Sequence, residues 1–422
     1  MPPLTRRVVA AGTASILGAQ FSAIGPAAAQ QPDRLRGGVA GGKVELPNTR
    51  SPSEVASSLP NPDPVNRRLG IAVVGIGRLT LEQIMPGFGQ SRHARVTALV
   101  SGDRAKARTV AAQYGVPETH LYDYANFDRL RDNPDVDAVY IVLPNNMHME
   151  YTLRAAQAGK HVLCEKPMAT SSADAARMVE GCRTAGRTLM IAYREQYDPY
   201  HRAMIGMLRN KEHGPVRLIT AVNTQNQGDP AQWRQIRSQA GGGSLPDIGL
   251  YCLSAARYLT GEEPVEITAQ LTQPKDDPRF REVEDTCAFT LRFPSGIVAQ
   301  CSSTYSAYES RHLRMMAADG YVELDPAFAY EGLTMRIGRK AGQAHAVEQR
   351  KFSEHNQFAR EMDHFAECIR AGRQPHTPGE EGLQDQRLME AIYQAAQAGS
   401  AVRLPAVQGL DTTRGPAPQE QG

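Results

Sequence analysis

The sequence predicts an α/β chain, a doubly wound parallel sheet followed by a second, strand-rich domain. Three observations predict it. The apolar, β-branched run Ile71-Ala72-Val73-Val74 enters the turn Gly75-Ile76-Gly77 and then the helix-like Leu81-Glu82-Gln83-Ile84. Further strand-like runs at Val96–Val100, Ala138–Leu143, His161–Cys164 and Thr188–Ala192 alternate with helical stretches such as Asp103–Tyr114 and Ser172–Ala185. From Val216 onward come runs at Leu218–Asn223, Val265–Leu271, Thr286–Phe293, Val298–Ser303 and His312–Ala317, separated by turns such as Pro294-Ser295-Gly296.

The 422 residues, 41% hydrophobic and 22% charged, suffice for two domains, and a net charge of +2 gives no electrostatic case for nucleic acid or an anionic membrane. Residues 1–29 stand outside the fold. Thr5-Arg6-Arg7-Val8-Val9 opens a weakly apolar stretch that closes at Ala27-Ala28-Ala29, which reads as a twin-arginine export signal and implies a periplasmic protein. Residues 30–68, rich in Pro, Gly, Ser and Asn, form either a spacer or an arm packed along this or a neighbouring subunit. Cys164, Cys182, Cys252, Cys287, Cys301 and Cys368 are scattered without a Cys-x-x-Cys pair, which argues against a metal centre and for reduced core thiols. The tail from Pro405 is expected to be disordered.

A buried strand, a glycine turn and a helix N-terminus in succession present backbone N–H groups to a pyrophosphate, as in the Rossmann fold. Gly75 and Gly77, with Arg78 and Leu79 behind them, are the candidates; the third glycine of the pattern falls on Thr80. An NAD site would place an acid at the tip of the second strand. Here Val100 runs into Ser101-Gly102-Asp103-Arg104-Ala105-Lys106, whose hydroxyl and two cations, Arg104 and Lys106, suit the 2′-phosphate of NADP. Asp103 also fits a plain helix N-terminal charge. Pro144-Asn145-Asn146-Met147-His148 and Glu165-Lys166-Pro167 follow later strands, at the sheet edge where such folds hold ligands.

Gly241-Gly242-Gly243 lets the backbone approach a ligand closely, and the helix that follows places Asp247 and Tyr251 at i and i+4. A tyrosine can exchange a sugar hydroxyl proton if a cation lowers its pKa, and Lys166 is the candidate. Ser244-x-x-Asp247 equally fits a capping box, with Tyr251 in the core.

These motifs together resemble the glucose-fructose oxidoreductase, inositol dehydrogenase and MocA family over Leu69 to about Val402. Gly75-Ile76-Gly77, Glu165-Lys166-Pro167-Met168-Ala169-Thr170, Gly241-Gly242-Gly243-Ser244-Leu245-Pro246-Asp247-Ile248-Gly249-Leu250-Tyr251 and Pro378-Gly379-Glu380-Glu381-Gly382 carry the resemblance. It implies a second α+β domain, residues 195–404, built on a large, mostly antiparallel sheet that covers the nicotinamide of the first domain, residues 69–194, and forms a homo-oligomer interface, dimer or tetramer. It also implies Tyr251 as proton donor and acceptor, Lys166 as its electrostatic partner, and Asp247 as a sugar-hydroxyl ligand that orients Tyr251. Pro144, Asn145, His148, Glu165, Lys166, Arg194 and Trp233 join the glycine turn and strand tip as cofactor residues.

The arm behind an export signal points to the exported, cofactor-retaining branch. A protein that crosses the membrane folded carries NADP to where no pool replaces it, so a second sugar must reoxidise it. The expected cycle oxidises an aldose to its lactone and reduces a ketose or second aldose to a polyol. A simple aldose or polyol dehydrogenase with exchangeable cofactor is the alternative within the enzyme class, and a non-catalytic sensor of nucleotide or sugar the alternative outside it. A sensor has no need of Lys166, Asp247 and Tyr251 together.

Overall fold

Leu69–Val74 (β1) is buried at every position, as a central strand covered on both faces requires. The computed structural model describes residues 38–40, 43–45, 62–353 and 355–418. The expected export signal and most of residues 30–68 lie outside the described residues; within the latter Gly38–Ala40 pairs antiparallel with Lys43–Glu45.

Ala94–Val100 (β2), Leu121–Tyr122 (β3), Ala138–Ile141 (β4), His161–Glu165 (β5) and Leu189–Ala192 (β6) complete a parallel sheet of order β3-β2-β1-β4-β5-β6. That order reverses beside β1, so the carboxyl ends of β1 and β4 open a crevice. β3 escaped the sequence reading because two residues carry no periodicity, and β4 stops at Ile141 rather than Leu143.

The second sheet has nine strands, Val216–Asn226 (β7), Glu266–Thr272 (β8), Thr286–Arg292 (β9), Val298–Thr304 (β10), Ser306–Ala317 (β11), Gly320–Leu324 (β12), Met335–Ala341 (β13), Ala344–Arg350 (β14) and Val402–Arg403 (β15). Their order is β14-β13-β12-β11-β7-β10-β9-β8-β15, antiparallel except for β7 with β10. Alternation selects the inner face: Ile219 and Ala221, Cys287 and Phe289, Ala299 and Cys301 are buried. The helix Leu250–Thr260, buried along nearly its whole length, packs on β7 and β10. β12 to β15 went unread because short, charge-bearing strands such as Met335-Arg336-Ile337-Gly338-Arg339-Lys340-Ala341 lack a continuous apolar pattern.

Two late helices return to the first domain's surroundings. Gln357–Ala371 packs beside the helix Met85–Gln90, and its Asp363 carboxylate accepts from Ser91 Oγ at 2.6 Å and from the backbone of Arg92 and His93 at 2.9 and 2.8 Å. Gly379–Ala398 lies between the helix Ser172–Thr184 and β8. All six cysteines are buried and unpaired.

The expectation of a disordered tail is corrected for residues 405–418. Arg414 is fully buried in its side chain and donates to Glu381 Oε1 at 2.7 Å through Nη2 and to Asp411 at 3.0 Å through Nη1. Glu381 also receives Arg257 at 3.0 Å, and Asp411 receives Arg209 at 2.8 Å. Composition pointed to disorder, and no local signal announces an ion-pair partner more than thirty residues away. Removing one member of a buried ionic cluster leaves its partner charged and unsolvated, so Arg414→Ala should destabilise the protein by about 3–5 kcal/mol. Thermal unfolding of this variant, and of a chain ended after Leu404, checks it; an unchanged midpoint in both would return the tail to the periphery.

Candidate active site

The crevice at the carboxyl edge of the parallel sheet is a cleft of about 830 Å³, closed on its far side by the second domain. Gly75 has φ +97°, and a Cβ there would sit 2.3 Å from the Val142 carbonyl oxygen, so both the turn and the approach of β4 require glycine. At Gly77 a Cβ would meet nothing within 4 Å, because that position faces the open cleft. Thr80 takes the third-glycine place without obstructing packing. It is buried, and its hydroxyl donates to Gly75 O at 2.7 Å, fastening the helix start to the turn. That start is a π-helical turn, Thr80–Ile84.

At the tip of β2, Ser101 and Gly102 line the cleft beside Tyr124. Lys106 reaches back over the turn, its ammonium 3.2 Å from Ile76 O, and has no acidic partner among the described residues. Arg104 corrects the sequence reading: it turns away from the cleft to donate to Leu121 O at 2.7 Å and lies 3.8 Å from Glu118. Asp103 caps its helix by accepting from Lys106 N at 3.0 Å. Arg78 stands exposed at the rim, paired with Glu82 at 2.9 Å, and Leu79 follows it along the lining.

His148 is corrected too. It is wholly buried behind the lining, its ring nitrogens 2.9 Å from Leu143 O and from Pro167 O, where it braces two strand ends. Pro144 and Asn145 do line the cleft, and Asn145 Nδ2 donates to Ala240 O at 2.8 Å across to the second domain. Trp233 lines it from the second domain, with the Arg234 guanidinium 4.4 Å from the ring centre.

Lys166, Asp247 and Tyr251 meet in this cleft. The Lys166 ammonium donates to Asp247 O at 2.8 Å, lies 3.3 Å from Oδ1 and is 4.4 Å from the centre of the Tyr251 ring. The other Asp247 oxygen accepts from Tyr305 Oη at 2.7 Å and Arg234 Nε at 3.1 Å. Burial would raise the Asp247 pKa, but Arg234 and Lys166 outweigh it and hold the carboxyl at about 2. Asp247 is thus committed to Lys166, Arg234 and Tyr305, and the expected contact orienting Tyr251 is not made. What flanks the Tyr251 ring is cationic, Lys166 and, at 5.1 Å, Arg194. Arg194 is buried, donates to Phe328 O at 2.7 Å and stacks on Tyr330 at 4.5 Å.

Lys166 pulls the tyrosine's pKa down as expected, but in the protein alone it does not prevail. Burial dominates, and Tyr251 is pushed up to about 12 although Arg194 and Lys166 pull the other way. For Lys166 burial works downward, yet the surrounding Tyr251, Asp247 and Glu165 hold its pKa raised. At neutral pH the cleft therefore holds a neutral phenol, an ammonium and a carboxylate.

Neither sequence reading of Gly241–Tyr251 survives intact. The glycines admit protein, not ligand: a Cβ at Gly242 would lie 1.9 Å from the Tyr393 hydroxyl and one at Gly243 1.9 Å from Glu284 O. Ser244 caps nothing. Glu284 takes that role, its carboxylate accepting from Gly243 N at 2.9 Å and Leu245 N at 3.0 Å. The next turn, Leu245–Gly249, is again π-helical, and it carries Asp247. Arg234, Tyr305, Tyr330 and Glu284 were missed; each reaches the site through a tertiary contact with no local signature.

A dinucleotide fits the residues present. The turn is open at Gly77, and among the described residues Lys106 is a cation without a counter-charge and Arg194 Nε a buried donor without an acceptor. Fold and site together define a dinucleotide-dependent oxidoreductase. Residues 69–193 match the family model described as oxidoreductase family, NAD-binding Rossmann fold, and residues 201–323 match the GFO/IDH/MocA C-terminal domain; the chain belongs to the GFO/IDH/MocA family. It is similar to an aldose-aldose oxidoreductase from Caulobacter crescentus solved with glycerol, at 48% identity and TM-score 0.77 over 80% of this chain and 100% of that one. It is 33% identical to a D-xylose 1-dehydrogenase [NADP(+)] of Haloarcula marismortui over 79% of this chain and 92% of that protein. A 3-ketoreductase from Actinomadura kijaniata, solved with NADP and TDP-benzene, aligns at 26% identity and TM-score 0.69 over 78% of this chain and 98% of that one.

The helix cap separates the two readings of the site helix. Ser244→Ala should leave stability within about 0.5 kcal/mol, whereas Glu284→Ala, which strips two buried N–H groups of their acceptor, should cost about 2–4 kcal/mol. Denaturant unfolding of the two variants measures it, and equal losses would restore the capping box.

Proposed function

We propose that the protein is an exported, NADP-dependent sugar oxidoreductase that retains its cofactor and works in two half-reactions. An aldose such as glucose is oxidised to its lactone, and a ketose such as fructose, or a second aldose, is then reduced to a polyol. The observation that carries this reading is the meeting of Lys166, Asp247 and Tyr251 in the same cleft as the Gly75–Gly77 turn. The aldose and xylose chemistry named for the relatives supports the substrate class, and Arg6-Arg7 ahead of the Pro-rich arm supports export and retention.

When bound, the dinucleotide supplies the hydride acceptor and donor. The chain's own residues handle the proton and the sugar. Tyr251 faces the sugar hydroxyl as proton donor and acceptor, flanked by two cations that stabilise its ionised form. Asp247, held ionised, accepts from a sugar hydroxyl, and Lys166 fixes it against the sheet edge. The uncovered face of the large sheet is the self-association surface.

NADP selection falls to Lys106 rather than Arg104. Lys106→Ala should weaken NADP by about 1.5–3 kcal/mol and leave NAD unchanged, while Arg104→Ala should leave both unchanged, by fluorescence titration.

Purified protein, with no nucleotide added, should turn over many equivalents of a glucose and fructose mixture, and Tyr251→Phe should slow it by about 10² or more while melting like the parent. Turnover that appears only on adding NADP would leave the simple dehydrogenase.

A further inference from the structure

At the end of β5, next to Lys166, one phenol bridges two buried carboxyl groups. Tyr140 Oη is 2.8 Å from Glu165 Oε1 and 3.1 Å from Glu361 Oε1. Tyr140 comes from the central strand β4, Glu165 from the end of β5, and Glu361 from the helix Gln357–Ala371, so three separate elements converge on one oxygen. Tyr140 and Glu361 are fully buried, whereas Glu165 lines the cleft.

Proton counting constrains this arrangement. A phenol has one proton to donate, and two carboxylates would both demand it. Both short contacts hold together only when one carboxyl is itself protonated and donates to the phenol oxygen, so the trio keeps an exchangeable proton. Two charged carboxylates this deep would moreover repel each other at low dielectric. Glu361 Oε2 has no hydrogen-bond partner among the described residues, as suits the uncharged form of that group.

We infer that Glu165, Tyr140 and Glu361 form a proton store for the sugar chemistry, filled when a sugar is oxidised and emptied when one is reduced. The inference rests on the two half-reactions proposed above. Oxidation of the aldose breaks a C–H and an O–H bond: the hydride passes to the dinucleotide and cancels the positive charge of its ring, and the hydroxyl proton passes by way of Tyr251 into the cleft, where Glu165 takes it because the loss of that charge raises its proton affinity. Reduction of the second sugar returns the hydride to its carbonyl carbon and the proton to its oxygen. Glu165 is suited to this duty, because burial raises its pKa to about 7 against the opposing Lys166. Burial and then Glu165 raise Glu361 further. The other groups facing the trio are Arg194, which opposes proton uptake, Glu195, which favours it, and the phenol of Tyr197.

The experiment uses the purified protein with its oxidised cofactor, glucose alone and a pH-indicator dye in weak buffer near neutral pH. Nicotinamide absorbance counts hydride, and the dye counts protons. Wild type should release roughly half a proton or less per hydride, while Glu165→Gln, which removes the accepting carboxyl, should release about one, and Tyr140→Phe, which removes a hydrogen bond that lowers the Glu165 pKa, should release no more than wild type. A full proton from wild type, or wild-type stoichiometry in Glu165→Gln, overturns the store. Absence of the nicotinamide signal would count against the sugar reading, not this one. In that event infrared titration of the protein alone decides. It should show a protonated buried carboxyl that ionises near neutral pH and is altered in Glu361→Gln, and its absence overturns the inference.

Discussion

The ion pair between Lys166 and Asp247 joins the two halves of the cleft. Lys166 stands at the end of β5 on the parallel sheet, and Asp247 stands in the π-helical turn that begins the second domain's buried helix. Two contacts from one ammonium, 2.8 Å to the backbone oxygen and 3.3 Å to the carboxylate, fix that turn against the sheet edge. Tyr251, one turn further along, is thereby set over the ammonium, and Asp247 is set to receive Arg234 and Tyr305. A half-buried pair of this kind gains little net stability, since desolvation offsets much of the attraction; its return is geometric.

Charge in the cleft is unbalanced. Its lining carries Arg78, Lys106, Lys166, Arg194, Arg234 and Arg311 against Glu82, Asp103, Glu165 and Asp247, and of these acids Glu165 is only partly ionised at neutral pH. The surplus is positive and lies on the Lys166–Tyr251 side, since at the glycine turn and strand tip Arg78 and Lys106 stand against Glu82 and Asp103. The buried cluster of Arg257, Arg414, Glu263, Glu381 and Asp385 behaves differently: each cation there meets acids directly, and no member lines the cleft.

What the sequence disclosed divides along physical lines. The parallel sheet was legible because fully buried strands are long apolar runs, and the glycine turn because backbone conformation restricts residue choice at Gly75. Lys166, Asp247 and Tyr251 were legible only as a pattern, and their partners were not. Arg104 and Lys106 lie two residues apart on one helix turn, yet only Lys106 faces the cleft, a distinction that depends on where Ile76 O and Leu121 O sit. His148 resembled a ligand, but two strand-end carbonyls claim both its nitrogens. Glu284 reaches the site from the segment just before β9, and Tyr305 from the junction of β10 and β11. Glu361 did leave a trace, for it is an acid on the apolar face that Phe358, Met362 and Phe365 define, and a buried charge on such a face asks for a partner.

Both helices that open onto the cleft begin with a π turn, Thr80–Ile84 on the nucleotide side and Leu245–Gly249 on the sugar side. Widening the first turn shifts which backbone N–H groups are free and where the next side chains point. At Thr80 the hydroxyl turns back to Gly75 O, so the glycine turn keeps its shape although a larger residue has replaced the third glycine. At Leu245 the free N–H groups are given to Glu284, so Asp247 is released from capping and stays available to Lys166 and Arg234. The departures from regular helix thus fall where the local pattern alone would have misassigned a residue. In each case a side chain or a backbone group that a standard helix start would consume is left for the site.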